Sequence, residues 1–111
     1  MTVLFSPEME DYLFDLVEVL YREAYFGFYE SAMRYVTELI EEIEANLPQC
    51  VAKTAPSHFQ KEEGEIIFYS FFSKNYHTTW YIFFSIHPNE KILLVKNILN
   101  NHAPEARYLN L

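Results

Sequence analysis

The segment from Lys96 to Leu109, KNILNNHAPEARYL, gathers the side chains best suited to act on another molecule. His102 follows the pair Asn100 and Asn101, with Arg107 and Tyr108 shortly after it. An imidazole that titrates near neutrality can give or take a proton, and a guanidinium beside a phenol can hold an anion. The same residue types also end strands. Asparagine side chains bond nearby backbone in turns, and a histidine at a strand end can do likewise. Spacing alone leaves both readings open.

Other chemistry has less to build on. His58, His77 and His87 lie in polar connections and no two histidines stand at metal-ligand spacing, so neither a metal nor a cofactor is expected. Cys50, the single cysteine, follows Pro48 with no cation beside it to activate the thiol. It cannot form an internal disulfide, which fits a reducing cytoplasm. Pro7, Glu8, Glu10 and Asp11 interrupt any secretory pattern, and no apolar run approaches the ~20 residues of a membrane span. The expectation is a soluble, cytoplasmic protein with no membrane partner.

The net charge of −8 is unevenly placed. Up to Asn46 eleven acidic residues face only Arg22 and Arg34, whereas from Leu47 onward five acidic residues face six cations. The first half would repel a phosphate backbone, so any surface for nucleic acid must lie in the second.

The elements that must carry these residues follow from periodicity. TVLF is β-compatible; Ser6 can cap a helix, with Pro7 at its first position and Glu8 and Glu10 at the positive end of its dipole. Met9, Tyr12, Leu13, Leu16, Val17, Leu20 and Ala24 then recur at helical spacing. Gly27 breaks the pattern, in a position suited to left-handed backbone. A second helix is predicted from about Glu30 to Asn46, with Met33, Tyr35, Val36, Leu39, Ile40 and Ile43 on one face and Glu38, Glu41, Glu42 and Glu44 in solvent. The segment from Pro48 to Gly64 reads as a polar loop.

After Gly64 three runs, 65–72, 78–86 and 91–99, are rich in aromatic and β-branched residues and separated by turn-like segments. They leave no room for crossovers and must be antiparallel neighbours. Alternation is weak, since Trp80, Ile82 and Phe84 and also Tyr81 and Phe83 are large and apolar. With the first set taken inward, Tyr81 and Phe83 point away from the helices and become candidates for binding a partner. The chain of 111 residues is thus expected to be one α+β domain, an antiparallel helical hairpin on one face of a three- to four-stranded, mainly antiparallel sheet.

This order, with LFSPEMEDYL opening the chain and NNHAPEARYL closing it, resembles the RelE/ParE superfamily of toxins from bacterial type II toxin–antitoxin systems, the addiction modules that stabilise plasmids. FSPEMEDYL matches the first strand and helix start, ESAMRYVTELIEEIEANLP the second helix and its stop, and ILLVKNILNNHA the last strand and tail. The resemblance covers nearly the whole chain. It implies a cognate antitoxin as partner, and either a ribosome-dependent messenger RNA endonuclease or a binder of a protein target such as gyrase. A degenerate relative acting only in assembly, for example as a homodimer, is the third alternative.

Under the nuclease alternative, the resemblance makes His102 the general acid or base, Tyr108 an auxiliary proton donor, and Lys96 and Arg107 the phosphate-binding cations. Cleavage of RNA needs such groups for the 2′-hydroxyl proton, the leaving oxygen and the charge on phosphorus. The branch that cuts RNA carries cations on its middle strands, yet EIIFYSFF and TTWYIFFSI contain none. Together with the acidic charge, this favours a protein target.

Overall fold

The computed structural model describes residues 1–23 and 26–109. The Ser6 hydroxyl accepts a hydrogen bond from the Met9 amide at 3.3 Å, and Pro7 opens the helix α1 (Pro7–Arg22), which buries Leu13 and Leu16. The predicted extension to Ala24 lies outside the described residues. Helix α2 (Tyr29–Asn46) buries Ala32, Val36, Leu39 and Ile43, and a 3₁₀ turn at Leu47–Gln49 containing Pro48 ends it. The two helices pack against each other. Gly27 does not adopt left-handed backbone: among the described residues positive φ occurs at Gly64 (83°) and Lys91 (57°).

The sheet has five strands, in the order β1 (Thr2–Phe5), β5 (Ile92–Asn100), β4 (Thr79–His87), β3 (Phe68–Ser73), β2 (Lys53–Thr54). Five strands exceed the three or four expected, and three of the four strand pairings are antiparallel. β1 pairs with β5 in parallel, Thr2 opposite Ile92 and Phe5 opposite Val95, so the sheet is mixed. At the other edge Lys53 and Thr54 leave the supposed loop to pair with Tyr69 and Phe68.

Along β4 the side chains divide by parity, as strand geometry requires. Trp80, Ile82 and Phe84 enter the main core with Leu13, Leu16, Val36, Leu39 and Ile43 of the helices. On β5 a bulge interrupts the parity: Phe83 faces Asn97 and Phe84 faces Val95, leaving Lys96 as the extra residue. Val95 and Ile98 therefore both reach the helix side, whereas Lys96 and Asn97 line a pocket on the other.

That other face is itself covered. Ala55, Phe59 and Ile67 from the segment between β2 and β3, and Leu109 from a 3₁₀ turn at Pro104–Leu109, close over Tyr69, Tyr81, Phe83 and Leu99. The Gln60 side chain holds the segment in shape. Its amide nitrogen donates to the carbonyls of Ala55 and Ile67, and its oxygen accepts from the Ile67 amide, at 2.8–2.9 Å. The protein is thus a three-layer stack of helices, sheet and cover. Among the described residues no helix is long and apolar enough to cross a membrane.

Candidate functional site

The tail residues separate as the chain leaves β5. Both asparagines spend their side chains on backbone: Asn100 Oδ1 accepts from the His102 amide, and Asn101 accepts from the Thr79 amide while donating to the His77 carbonyl. His102 is exposed at the rim of a cleft of about 930 Å³ between α1, the start of α2 and the end of the sheet. That cleft carries Asp15 and Glu23 in its lining, and neither Lys96, Arg107 nor Tyr108 belongs to it.

Tyr108 belongs to the cover. The 3₁₀ turn folds back with Leu109 buried, and the Tyr108 ring stacks on His58 with centroids 3.7 Å apart and planes 11° from parallel. The Arg107 guanidinium donates to the Tyr108 hydroxyl at 2.9 Å, a bond that holds the arginine above its usual pKa. Nearby, His58 Nε2 stands 3.5 Å from a Glu105 carboxylate oxygen. Lys96 lies in a different pocket, of about 340 Å³, with its ammonium 2.7 Å from Glu65 and 3.5 Å from Glu62. The hydrogen bond that Lys96 donates to Glu65 outweighs the opposing effect of burial, and together with the charges of Glu65 and Glu62 it raises the Lys96 pKa. A lysine so paired has two carboxylates to displace before it can hold a phosphate.

The four residues the resemblance places in a nuclease site are therefore not gathered: Lys96, Arg107 and Tyr108 all lie outside the cleft of His102. The physical reason is the turn at Pro104, which sends Arg107 and Tyr108 onto the cover, and the bulge, which aims Lys96 at Glu62 and Glu65.

Tyr81 and Phe83 do lie on the face away from the helices, but they are 4% and 1% exposed. Phe83 is stacked between Phe59 (4.3 Å) and Tyr69 (5.8 Å), and burial, with Tyr69 nearby, raises the Tyr81 phenol pKa. The expectation that they present an open partner surface is thus corrected: the cover already fills it. Phe59, an isolated aromatic in a polar segment, gave no periodic signal of that role.

An open apolar surface exists elsewhere, on the outside of the helical pair. Phe14 and Met33, with Leu13, Val17 and Ile40, line a groove of about 460 Å³ rimmed by Glu10 and Glu44. Phe14 is 78% exposed and Met33 49%. Helical spacing puts Met33 on the apolar face of α2 and does not include Phe14 in the stripe of α1. The available signal was the doubled pairs Leu13–Phe14 and Leu16–Val17, which widen the apolar stripe of α1 beyond one packed face.

No protein-family model, curated protein or solved structure matches this chain. Its fold and surfaces define an α+β domain of two helices on a five-stranded mixed sheet, with an exposed apolar groove on the helical side.

Proposed function

We propose that this chain is a toxin-like component of a type II toxin–antitoxin pair, neutralised by a cognate antitoxin and acting by binding a protein target. The observation that carries the reading is the groove around Phe14 and Met33. A soluble domain seldom leaves an aromatic ring this exposed within a continuous apolar surface unless something covers it. The groove suits the apolar face of an amphipathic helix, and its rim of Glu10 and Glu44 favours basic residues flanking that face. The order of strand, two helices and a meander ending in NNHA supports the family resemblance behind the proposal.

Binding is favoured over RNA cleavage because His102, Tyr108 and Lys96 occupy separate surroundings and the cleft beside His102 is acidic. The test is induction in a bacterial host lacking any antitoxin, with growth and messenger RNA integrity followed together. Growth arrest with intact message, retained in His102→Ala and abolished or altered by Phe14→Asp, is the expected result. Cleavage of message that disappears with His102→Ala would establish the nuclease instead, and unaffected growth would remove the toxin reading.

A further inference from the structure

The cleft beside His102 has a composition that neither the apolar groove nor the fold explains. Its walls include the rings of Tyr12, Phe26 and Tyr35, the last two tilted against each other with centroids 5.4 Å apart. Trp80 forms its floor and donates its indole N–H to the Tyr35 hydroxyl oxygen at 3.0 Å. Asp15 and Glu23 supply its carboxylates beside Leu16, Val19, Leu20 and His102, and no lysine or arginine belongs to the lining among the described residues.

Aromatic faces attract cations through the ring quadrupole, and carboxylates beside them add charge. An anion would meet two carboxylates on a chain of net charge −8, and a purely apolar ligand would make use of neither of these exposed carboxylates. The chain itself shows the preferred chemistry on one of these rings: the Lys74 ammonium sits 5.3 Å from the Tyr35 centroid while bonding Glu42 at 2.6 Å. Lys74 is not part of the cleft lining, so the cleft's own carboxylates have no such partner there.

Guanidinium fits better than ammonium, because it is planar, stacks on rings and forks onto a carboxylate. At about 930 Å³ the cleft exceeds the needs of one side chain and suits several residues of extended peptide. Asp15 and Glu23 are eight residues apart on α1 and its cap, ~12 Å along the helix axis. Two side chains four residues apart on an extended strand are separated by ~13 Å. We propose that this cleft binds an extended segment of a protein partner carrying two arginines four residues apart, one stacked on Tyr12 and Tyr35 and paired with Asp15, the other meeting Glu23. The site shares no residue with the apolar groove and stands independently of the function proposed above.

The test is titration of the full chain with a capped Arg-Gly-Ser-Gly-Arg peptide, read by calorimetry and by fluorescence of Trp80, the sole tryptophan. Saturable, salt-sensitive binding is expected, weakened at least ~10-fold by the size-conserving pair Asp15→Asn and Glu23→Gln, and as much by replacing both arginines with citrulline. Phe14→Asp, in the separate groove, should leave it unchanged. Circular dichroism of the double variant establishes that it folds. Absence of saturable binding, equal binding of the citrulline peptide, equal binding by a folded double variant, or free argininamide binding as tightly as the peptide would each overturn the proposal.

Discussion

The indole nitrogen of Trp80 and the hydroxyl oxygen of Tyr35 meet at 3.0 Å, joining the start of β4 to α2. Trp80 is only 1% exposed, so its N–H has lost water and depends on this one acceptor. Tyr35→Phe keeps the ring and removes the oxygen. Leaving a buried donor unsatisfied costs about 1–3 kcal/mol. Thermal and urea unfolding should show that loss together with a shifted tryptophan emission; an unchanged midpoint would mean that another acceptor takes over.

Phe59 is the keystone of the cover, buried and stacked on Phe83 at 4.3 Å. Phe59→Ala should cost about 3–5 kcal/mol, the usual cost of truncating a buried aromatic ring. Because the loss falls on the small second core, it should also open the face carrying Tyr69, Tyr81 and Phe83. Stronger binding of a hydrophobic dye at temperatures where the helices remain folded is the signature to measure. Uniform loss of helix and dye-binding together would show that the cover does not open separately.

Lys96 anchors the same cover by charge. Its pKa stands above the ordinary 10.5 because the hydrogen bond it donates to Glu65 and the charges of Glu65 and Glu62 together outweigh burial. A pKa raised on folding contributes stability that is complete below the unfolded value and disappears as pH climbs through the folded one. Stability should therefore be unaffected by this pair between pH 7 and about 10 and fall above that range. Lys96→Met should cost no more than about 1 kcal/mol, since solvent reaches all three side chains, and should flatten the alkaline decline. Faster hydrogen exchange at the Ile67 amide would locate the effect.

Two left-handed positions make opposite predictions. Gly64 has φ of 83° with open space where a Cβ would stand, so Gly64→Ala suffers from backbone strain alone, about 1–2 kcal/mol. Lys91 already carries that strain at φ 57° in the turn before β5, and Lys91→Gly should be neutral or stabilise by up to about 1 kcal/mol. Paired melting curves of the two variants decide the matter. A destabilised Lys91→Gly would show that the turn draws more from the lysine side chain than it loses in strain.

What could be read in the sequence were features whose cause is local. The Ser6–Pro7 start and the Pro48 stop bracket the helices because capping and the missing proline donor act within a turn. Strand parity also separates Trp80, Ile82 and Phe84 from Tyr81 and Phe83, but with both sets large and apolar it does not choose which one meets the helices. Non-local relations could not be read. β5 reads poorly because the bulge at Lys96 shifts parity midway, so that Val95 and Ile98 share a side. Lys96, Arg107 and Tyr108 lie close in sequence to His102, yet a bulge and one 3₁₀ turn send them to different layers. Phe59 owes its role entirely to a partner ring on a distant strand.

The parallel pairing of β1 with β5 sets a schedule for the chain. Thr2 through Phe5 are made well before their pairing partner, which begins at Ile92. The helices and the β3–β4 hairpin can form from near neighbours, while this edge must wait for almost everything between. Until β5 arrives, the long aromatic strand β4 has one side unpaired and both faces incompletely covered, the condition in which strands associate with the wrong partner. The strand that joins β1 to the rest of the sheet and supplies Leu93, Val95 and Ile98 to the main core is thus the last strand of the sheet to be made.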